Sequence, residues 1–434
     1  MWFGSGQIES DARSLSEVET SRSLFLSTSL RERITSYSQE ENAMFILIKD
    51  GEVFAPESLG ERDILLAGRS IAAIEDDIPA GLNLTNLQVI SAKGKFVIPG
   101  FIDSHVHILG GGGEGGFATR TPEITLTDIT KAGVTTVVGC LGTDGFGRSL
   151  ISLIAKARAL EEEGVSTYLY VGSYQVPVRT ITGRIEDDLM LIDKFIGVGE
   201  VAISDHRSSQ PTIDEIARIA ASARVGGMLS GKAGIVNVHL GDGARKLAFL
   251  EEIAVKTEIP ITQFLPTHIN RNPNLFEDGV EYARRGGYVD FTTSTTPQFL
   301  QEGEVKSSRG LKIMLEHGVS SENITFSSDG QGSLPAFNAK GEFIGLDVGS
   351  CQSLFTEFRD AVLEEQIDMA IVLKVVTSNP ARILKLSRKG GIKAGFDADL
   401  ILLDQDTVEI DSVIAKGQPM ILHKDVLNKG TFGR

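Results

Sequence analysis

His105 and His107 stand one residue apart in the run FVIPGFIDSHVH at 96–107, just before a four-glycine stretch that ends in Glu114. In a strand, residues i and i+2 point to the same side, so these two imidazoles can converge on one ion. Other candidate ligands also fall at the ends of apolar runs. His239 closes AGIVNVH, His268 closes QFLPTH, and Asp329 follows NITFSS. A further run, GEVAISDHR, carries Glu200, Asp205, His206 and Arg207. Four imidazoles and two carboxylates suit two divalent metal ions per chain, with zinc the natural first choice. A carboxylate between two ions can bridge them, and a water held there would ionise near neutral pH and become a nucleophile. Asp329 would ligate one ion and shuttle the proton from that water to the leaving group.

Ligands scattered over more than 200 residues need a scaffold that gathers strand ends, and the sequence supplies one. Between 96 and 384 strands are expected at Phe96–Ile102, Val134–Cys140, Thr167–Tyr174, Glu200–Ser204, Ile235–His239, Ile261–Thr267, Tyr288–Thr292 and Ile324–Ser327. Helical stretches such as Ser149–Glu163 and Ile213–Arg224 lie between them. Eight alternations over roughly 285 residues predict an α/β chain folded as a (β/α)8 TIM-type barrel, with a doubly wound open sheet as the alternative. In such a barrel, chemistry collects at the C-terminal strand ends, where these candidates sit. Alternation along GEVAISD puts Glu200, Ala202 and Ser204 on one face and leaves Val201 and Ile203 to pack against helices. Short β runs at 44–95 and 385–434 flank the barrel. Neither piece buries a core alone, so together they are expected to form one small β-sandwich domain. Residues 1–43 are rich in Ser, Glu and Arg and have no h-region. They read as an N-terminal extension, a partly helical or poorly ordered arm, with Met44 as an alternative beginning.

The formal net charge of −16 argues against nucleic acid and anionic lipid as partners. No run reaches the ~18 uncharged apolar residues of a membrane span. Two cysteines, Cys140 and Cys351, make no disulfide framework, and a cytoplasmic location is the simplest reading. Cys140 reads as a buried strand residue, His206 as a structural neighbour of the site, and His317 as a helix-end cap.

At this point the residues match a family. The chain resembles the amidohydrolase superfamily through PGFIDSHVH at 99–107, the isolated His239, His268 and Asp329, and a closing GIKAGFDADLILLD at 391–404. Its loops resemble those of the isoaspartyl (β-aspartyl) dipeptidase family: GGGGE at 110–114, TRTPE at 119–123, GTD at 142–144, VPVRTITG at 176–183, LPTHINRN at 265–272 and SSDGQGS at 327–333. The resemblance covers about 44–434 and implies hydrolysis of β-aspartyl dipeptides to aspartate and an amino acid. It implies that His105, His107 and Asp329 bind one metal and His239 and His268 the other. Glu114 would hold the substrate's α-ammonium, and Arg207 and Arg271 would pair with its carboxylates. Thr143 and Ser333 would add hydrogen bonds, and Tyr174 would donate to the scissile carbonyl as it becomes an oxyanion. Gly112, in the glycine run, would let the backbone approach the substrate closely. Many relatives bridge their metals with a carboxylated lysine on strand four, whereas this chain has Glu200 in that slot and its nearest lysine, Lys194, six residues earlier. A bridging Glu200 is therefore expected. A large homo-oligomer, with octamers among the forms, is also implied. A cyclic amidase of the dihydroorotase or hydantoinase kind is the alternative activity, though Leu109 stands where dihydroorotases commonly place an arginine. A non-catalytic scaffold is disfavoured by the full ligand set.

Overall fold

A computed structural model describes residues 45–82, 84, 86–338 and 343–433. The arm read at 1–43, together with Met44, lies outside them. The described chain opens with β1 (Phe45–Phe54), β2 (Ser58–Ala67), β3 (Ser70–Glu75), β4 (Leu87–Ser91) and β5 (Lys95–Pro99). Period-two alternation sorts β1 onto two cores. Ile46, Ile48 and Val53 pack with Ile64, Leu66 and Val97, whereas Phe45 and Leu47 pack with Leu65, Ala73 and Ile78. Asp50 takes a positive φ of 60° and the sheet forks there. Before it β1 runs parallel to β4 (Ile46↔Gln88), and after it parallel to β5 (Val53↔Val97).

β5 ends at Pro99, and the chain then leaves this sheet. The single strand expected at Phe96–Ile102 is therefore two strands of two different sheets, and the boundary set at 95/96 cuts through β5. A proline lacks the N–H to extend a ladder. Gly100 makes the crossing because a Cβ there would lie 2.3 Å from Thr135 Oγ1.

The second sheet is the barrel. Its strands are β6 (Phe101–Val106), β7 (Val134–Gly139), β8 (Ser166–Val171), β9 (Phe195–Ile203), β10 (Ile235–Leu240), β11 (Phe264–Thr267), β12 (Val289–Thr292) and β13 (Ile324–Ser327). β6 to β11 form one continuous ladder, and β12 pairs with β13. Three further expected boundaries move by more than one residue. β8 stops at Val171, before Tyr174; β9 begins at Phe195, five residues before Glu200; and 261–263 is a 3-10 turn ahead of β11. Val201 and Ile203 pack with the outer core, beside Ile216 and Ile219 of a helix. That helix, Ile213–Ser230, starts on a Thr212/Glu215 capping box and stops at left-handed Gly231. The barrel interior is filled from below by Ile102, Val138, Tyr170 and Leu265, plugged by Ala381–Leu386.

Beyond β13 a hairpin follows, β14 (Ser333–Phe337) with β15 (Phe343–Val348). The chain then returns to the first sheet as β16 (Leu400–Asp404), β17 (Ile410–Ala415), β18 (Gln418–Leu422) and β19 (Asp425–Val426). β16 runs antiparallel to β5 (Leu402↔Val97), so both ends of the chain share one nine-stranded sheet. Lys389 ties this return to the barrel. Its buried ammonium meets Asp399 at 2.5 Å, Asp397 at 2.9 Å and Ser166 Oγ, at the start of β8, at 2.6 Å.

Two seams close the barrel. Between β13 and β6, Asp329 N–H donates to His105 O at 3.1 Å and His107 N–H to Gly330 O at 2.8 Å. Asp103 Oδ1 also takes the Ser328 N–H at 3.0 Å. Between β11 and β12 the joint is made by Ile269 N–H to Asp290 O at 3.3 Å and Thr292 N–H to Asn270 Oδ1 at 2.9 Å. The buried carboxylate of Asp290 accepts hydroxyls from both neighbours: Thr267 at 2.7 Å from β11, and Thr325 at 2.6 Å and Ser327 at 2.5 Å from β13. Burial raises its pKa, and these hydroxyls partly offset the rise. Replacing Asp290 with Ala strands three buried hydroxyls, so urea unfolding should show a loss of about 3 kcal/mol or more. A loss under about 0.5 kcal/mol, the scale of neutral surface changes, would mean the seam does not depend on this carboxylate.

Candidate metal centre

Two ladder irregularities aim the site's side chains. Ile102 faces the barrel interior, and strict alternation would turn His105 outward. The β6–β7 register shifts between Asp103 and Val106, and this absorbs the odd residue so that His105 and His107 face inward. On β9 the pairing jumps from Val198↔Val236 to Val201↔Val238, leaving one extra residue on β9. That bulge turns Glu200 inward while Val198, Val201 and Ile203 all stay in the outer core.

Glu200 sits at the meeting point of four imidazoles. Its Oε2 lies 3.3 Å from His105 Nε2, 3.2 Å from His239 Nδ1 and 3.9 Å from His268 Nε2. Its Oε1 lies 3.3 Å from His107 Nε2. Asp329 Oδ1 stands 3.0 Å from His107 Nε2 and 3.7 Å from His105 Nε2. Despite this crowding, His105 Nε2, Glu200 Oε1 and Asp329 Oδ1 are buried without a hydrogen-bond partner. Buried polar atoms are rarely left so, and lone pairs converging on one space fit a cation. Two donor groups, each spanning at most 4.8 Å, share Glu200: one with His105, His107 and Cys140, the other with His239 and His268. The donor set therefore fits divalent metal.

Each imidazole is held from its far nitrogen, which fixes the tautomer offered to an ion. His105 Nδ1 meets Asn237 Oδ1 at 3.1 Å, and His268 Nδ1 meets Thr292 Oγ1 at 2.5 Å. His239 Nε2 meets Asp205 Oδ2 at 2.9 Å, which leaves Nδ1 toward Glu200. His107 Nδ1 faces Cys140 Sγ at 3.8 Å. Cys140 is buried, as the sequence suggests, but it also belongs to the site. Asp205 stands in the run the sequence already singles out, and Asn237 lies two residues before His239 on the same strand face, whereas nothing local marks Thr292 or Cys140 as a partner. Gly142 was also missed. A Cβ there would lie 2.8 Å from His107 Cε1 and 3.0 Å from Glu200 Oε1. Lys194 is held elsewhere, by Glu161 and by Thr167 O at 3.1 Å.

The centre opens into a cavity of about 790 Å³. On its wall Glu114 accepts Thr143 Oγ1 at 2.9 Å, Arg207 Nη1 at 3.3 Å and Ser333 Oγ at 3.5 Å. Three expected binding residues thus gather around the carboxylate of a fourth. Gly112 lies beside them with φ +68°, and a Cβ would meet Thr119 O at 2.5 Å. Arg207 is already engaged by Asp205, at 3.0 Å and 2.7 Å; burial would raise the pKa of the Asp205 carboxyl, but His239 and Arg207 outweigh it and hold it well below its usual range. Arg271 also lines the cavity, and its guanidinium has no acidic partner among the described residues. Tyr174 OH lies 2.8 Å from His239 Nδ1, and burial and the Glu200 charge keep it protonated. His206 lines the cavity from an exposed position. His317 does end a helix, with Nδ1 against Ile313 O at 2.8 Å.

The sequence profile of the amidohydrolase family matches residues 96–420. The crystal structure of a β-aspartyl dipeptidase from Fervidobacterium islandicum AW-1, in complex with β-Asp-Leu, is 49% identical, with a TM-score of 0.83 over 89% of this chain and 99% of that one. A D-hydantoinase (dihydropyrimidinase) from Thermus sp. shares the fold at 17% identity, with a TM-score of 0.62 over 90% of this chain and 98% of that one. An adenine deaminase of Listeria welshimeri is 25% identical over 93% of this chain, which spans only 62% of that protein's length.

Burial alone would lower the pKa values of His105 and His107, but Cys140, Glu200 and Asp329 outweigh it and hold both rings well above 6.5. The neighbouring charges thus favour the protonated rings in the metal-free chain, and a cation must compete with protons for them. Calorimetric titration with zinc at pH 7 should show proton release, read as heat that varies with the buffer's ionisation enthalpy, and affinity should rise with pH. Buffer-independent heat would contradict this. Gly142→Ala should cost at least about tenfold in metal affinity by crowding His107 and Glu200, on the scale of disturbed ligand support; wild-type affinity would show that the wall yields.

Proposed function

The chain belongs to the amidohydrolase family, and from that premise we propose that it hydrolyses β-aspartyl dipeptides to aspartate and an amino acid. The observation that carries this reading is the Glu114 carboxylate, fixed by Thr143, Ser333 and Arg207 on the wall of the cavity that opens from the metal donors. A carboxylate so placed suits a free ammonium, which a β-aspartyl dipeptide has and a cyclic amide lacks. Arg271, without an acidic partner, and Arg207, positioned by Asp205 and Glu114, suit the substrate's two carboxylates. In this reading two zinc ions would be held, one by His105, His107 and Asp329, the other by His239 and His268, with Glu200 shared. When bound, such ions supply a lowered water pKa and a polarised carbonyl.

The chain's own residues do the rest. Asp329 takes a proton from the attacking water as oxygen bonds to the side-chain carbonyl carbon. The Tyr174 hydroxyl donates to the carbonyl oxygen as its charge grows. Asp329 then delivers its proton to the amide nitrogen as the C–N bond breaks, releasing the leaving amino acid. A cytoplasmic home suits two free, buried cysteines, and no described helix is long and apolar enough to cross a membrane. Assembly as a homo-oligomer is part of the same reading. Leu191, Met228 and Leu229, exposed on two packed helices, support it.

A panel of β-Asp-Leu, α-Asp-Leu, dihydroorotate and hydantoin with zinc-loaded enzyme tests the activity. β-Asp-Leu should turn over best; preference for a cyclic amide would transfer the assignment to the cyclic amidases. Glu114→Gln should cost about tenfold or more in kcat/KM on β-Asp-Leu, the scale of one charge-assisted hydrogen bond, with metal retained. Unaltered kinetics would make Glu114 structural. Activity should not respond to bicarbonate, because Glu200 needs no carboxylation; stimulation by bicarbonate would point to a modified lysine.

A further inference from the structure

Glu114, Thr143, Ser333 and Arg207 account for only part of the cavity. The remaining wall includes Phe299, Glu302, Glu304, Leu334 and Leu346, from the helix Pro297–Glu302, the turn after it and the β14–β15 hairpin. None of these has a task in the reaction above. Glu304 is the least explained. Its N–H donates to Phe299 O at 2.9 Å, and the next N–H, of Val305, donates to Asn270 O at 2.9 Å. These bonds fix Glu304 against the loop that carries Arg271. Its Oε1 is buried with no hydrogen-bond partner, and the carboxylate has no ion pair among the described residues. Burial pushes its pKa up to about 7, with Glu357 and Asp242 adding to the rise and Thr295 and Arg271 opposing it. A half-buried carboxylate on a cavity wall, with Oε1 unpartnered and only the Thr295 hydroxyl beside it, is costly unless a ligand supplies a donor.

The aspartyl part of the substrate carries one ammonium, which Glu114 matches. The unclaimed wall therefore faces the other half of the dipeptide. Phe299, Leu334 and Leu346 offer apolar contact to methylene groups, and Glu302, Glu304 and Asp242 give the same cavity surplus negative charge. We propose that this wall receives the side chain of the leaving amino acid and that Glu304 selects a cationic chain, lysyl or arginyl, over an acidic one. The proposal rests on the β-aspartyl dipeptide reading.

The test compares kcat/KM of the zinc-loaded full chain on β-Asp-Lys, β-Asp-norleucine and β-Asp-Glu. Norleucine keeps the methylenes of lysine and lacks the ammonium. β-Asp-Lys should exceed β-Asp-norleucine by about tenfold, the scale of one charge-assisted hydrogen bond, and β-Asp-Glu should be the poorest. E304Q should bring the lysine-to-norleucine ratio close to one. Good turnover of β-Asp-norleucine without a lysine preference in the unaltered enzyme overturns this proposal alone and needs no variant to fold. If E304Q lowers all three substrates equally, Glu304 serves Arg271 and the proposal is also overturned. Cleavage of none of the three brings down the dipeptidase reading and this one together.

Discussion

A carboxylate held ionised at 1% exposure in the middle of a barrel is the constraint on which the site depends. Burial alone would protonate Glu200. The imidazoles of His105, His239 and His268 outweigh burial and hold its pKa well below the usual range. The charge therefore requires the histidines around it, and the histidines require partners of their own. Asn237, Thr292, Asp205 and Cys140 each take one far nitrogen. Loss of any one leaves a ring free to turn in a space whose neighbours carry charge.

That dependence extends into the scaffold. The inward set of side chains must change phase on β6 and again on β9, and in both strands a ladder irregularity does it. An irregular ladder is a weak point in a sheet, and this barrel has two seams besides. Asp103 and Asp290 meet the seams with buried carboxylates that accept from β6, β11 and β13 and the turn after it. Their own pKa values are raised by burial, Asp103 to about 6. The polar layer below the centre is thus itself electrostatically costly, and packing above and below must hold it.

The nine-stranded sheet gives the barrel its start and its finish. β5 and β16 pair antiparallel, so the segment entering β6 and the segment leaving the last helix are fixed side by side. Lys389, with Asp397, Asp399 and Ser166, fastens that junction to β8. The GFDAD sequence at 395–399 thus has a structural task far from the metal donors.

The sequence by itself determined the barrel class, the pairing of the chain's two ends and the donor types. Period-two and helical patterns, and His-x-His at a strand end, are local signals, and burial energetics make local patterns decisive. Legibility failed where two segments far apart in sequence meet. The split of 96–102 into β5 and β6 is decided by which sheet each half can join. The bulge that turns Glu200 inward shows only against β10. Cys140, Gly142 and Glu304 look ordinary along the chain, because a thiol, a missing Cβ or a carboxylate gains its meaning from what stands within a few ångströms of it. Sequence carries the periodicities that choose elements. Only the tertiary structure decides which nitrogen of His239 faces Glu200, which arginine is already paired and which acid keeps an oxygen unpartnered, since those depend on distances between residues that the chain order does not encode.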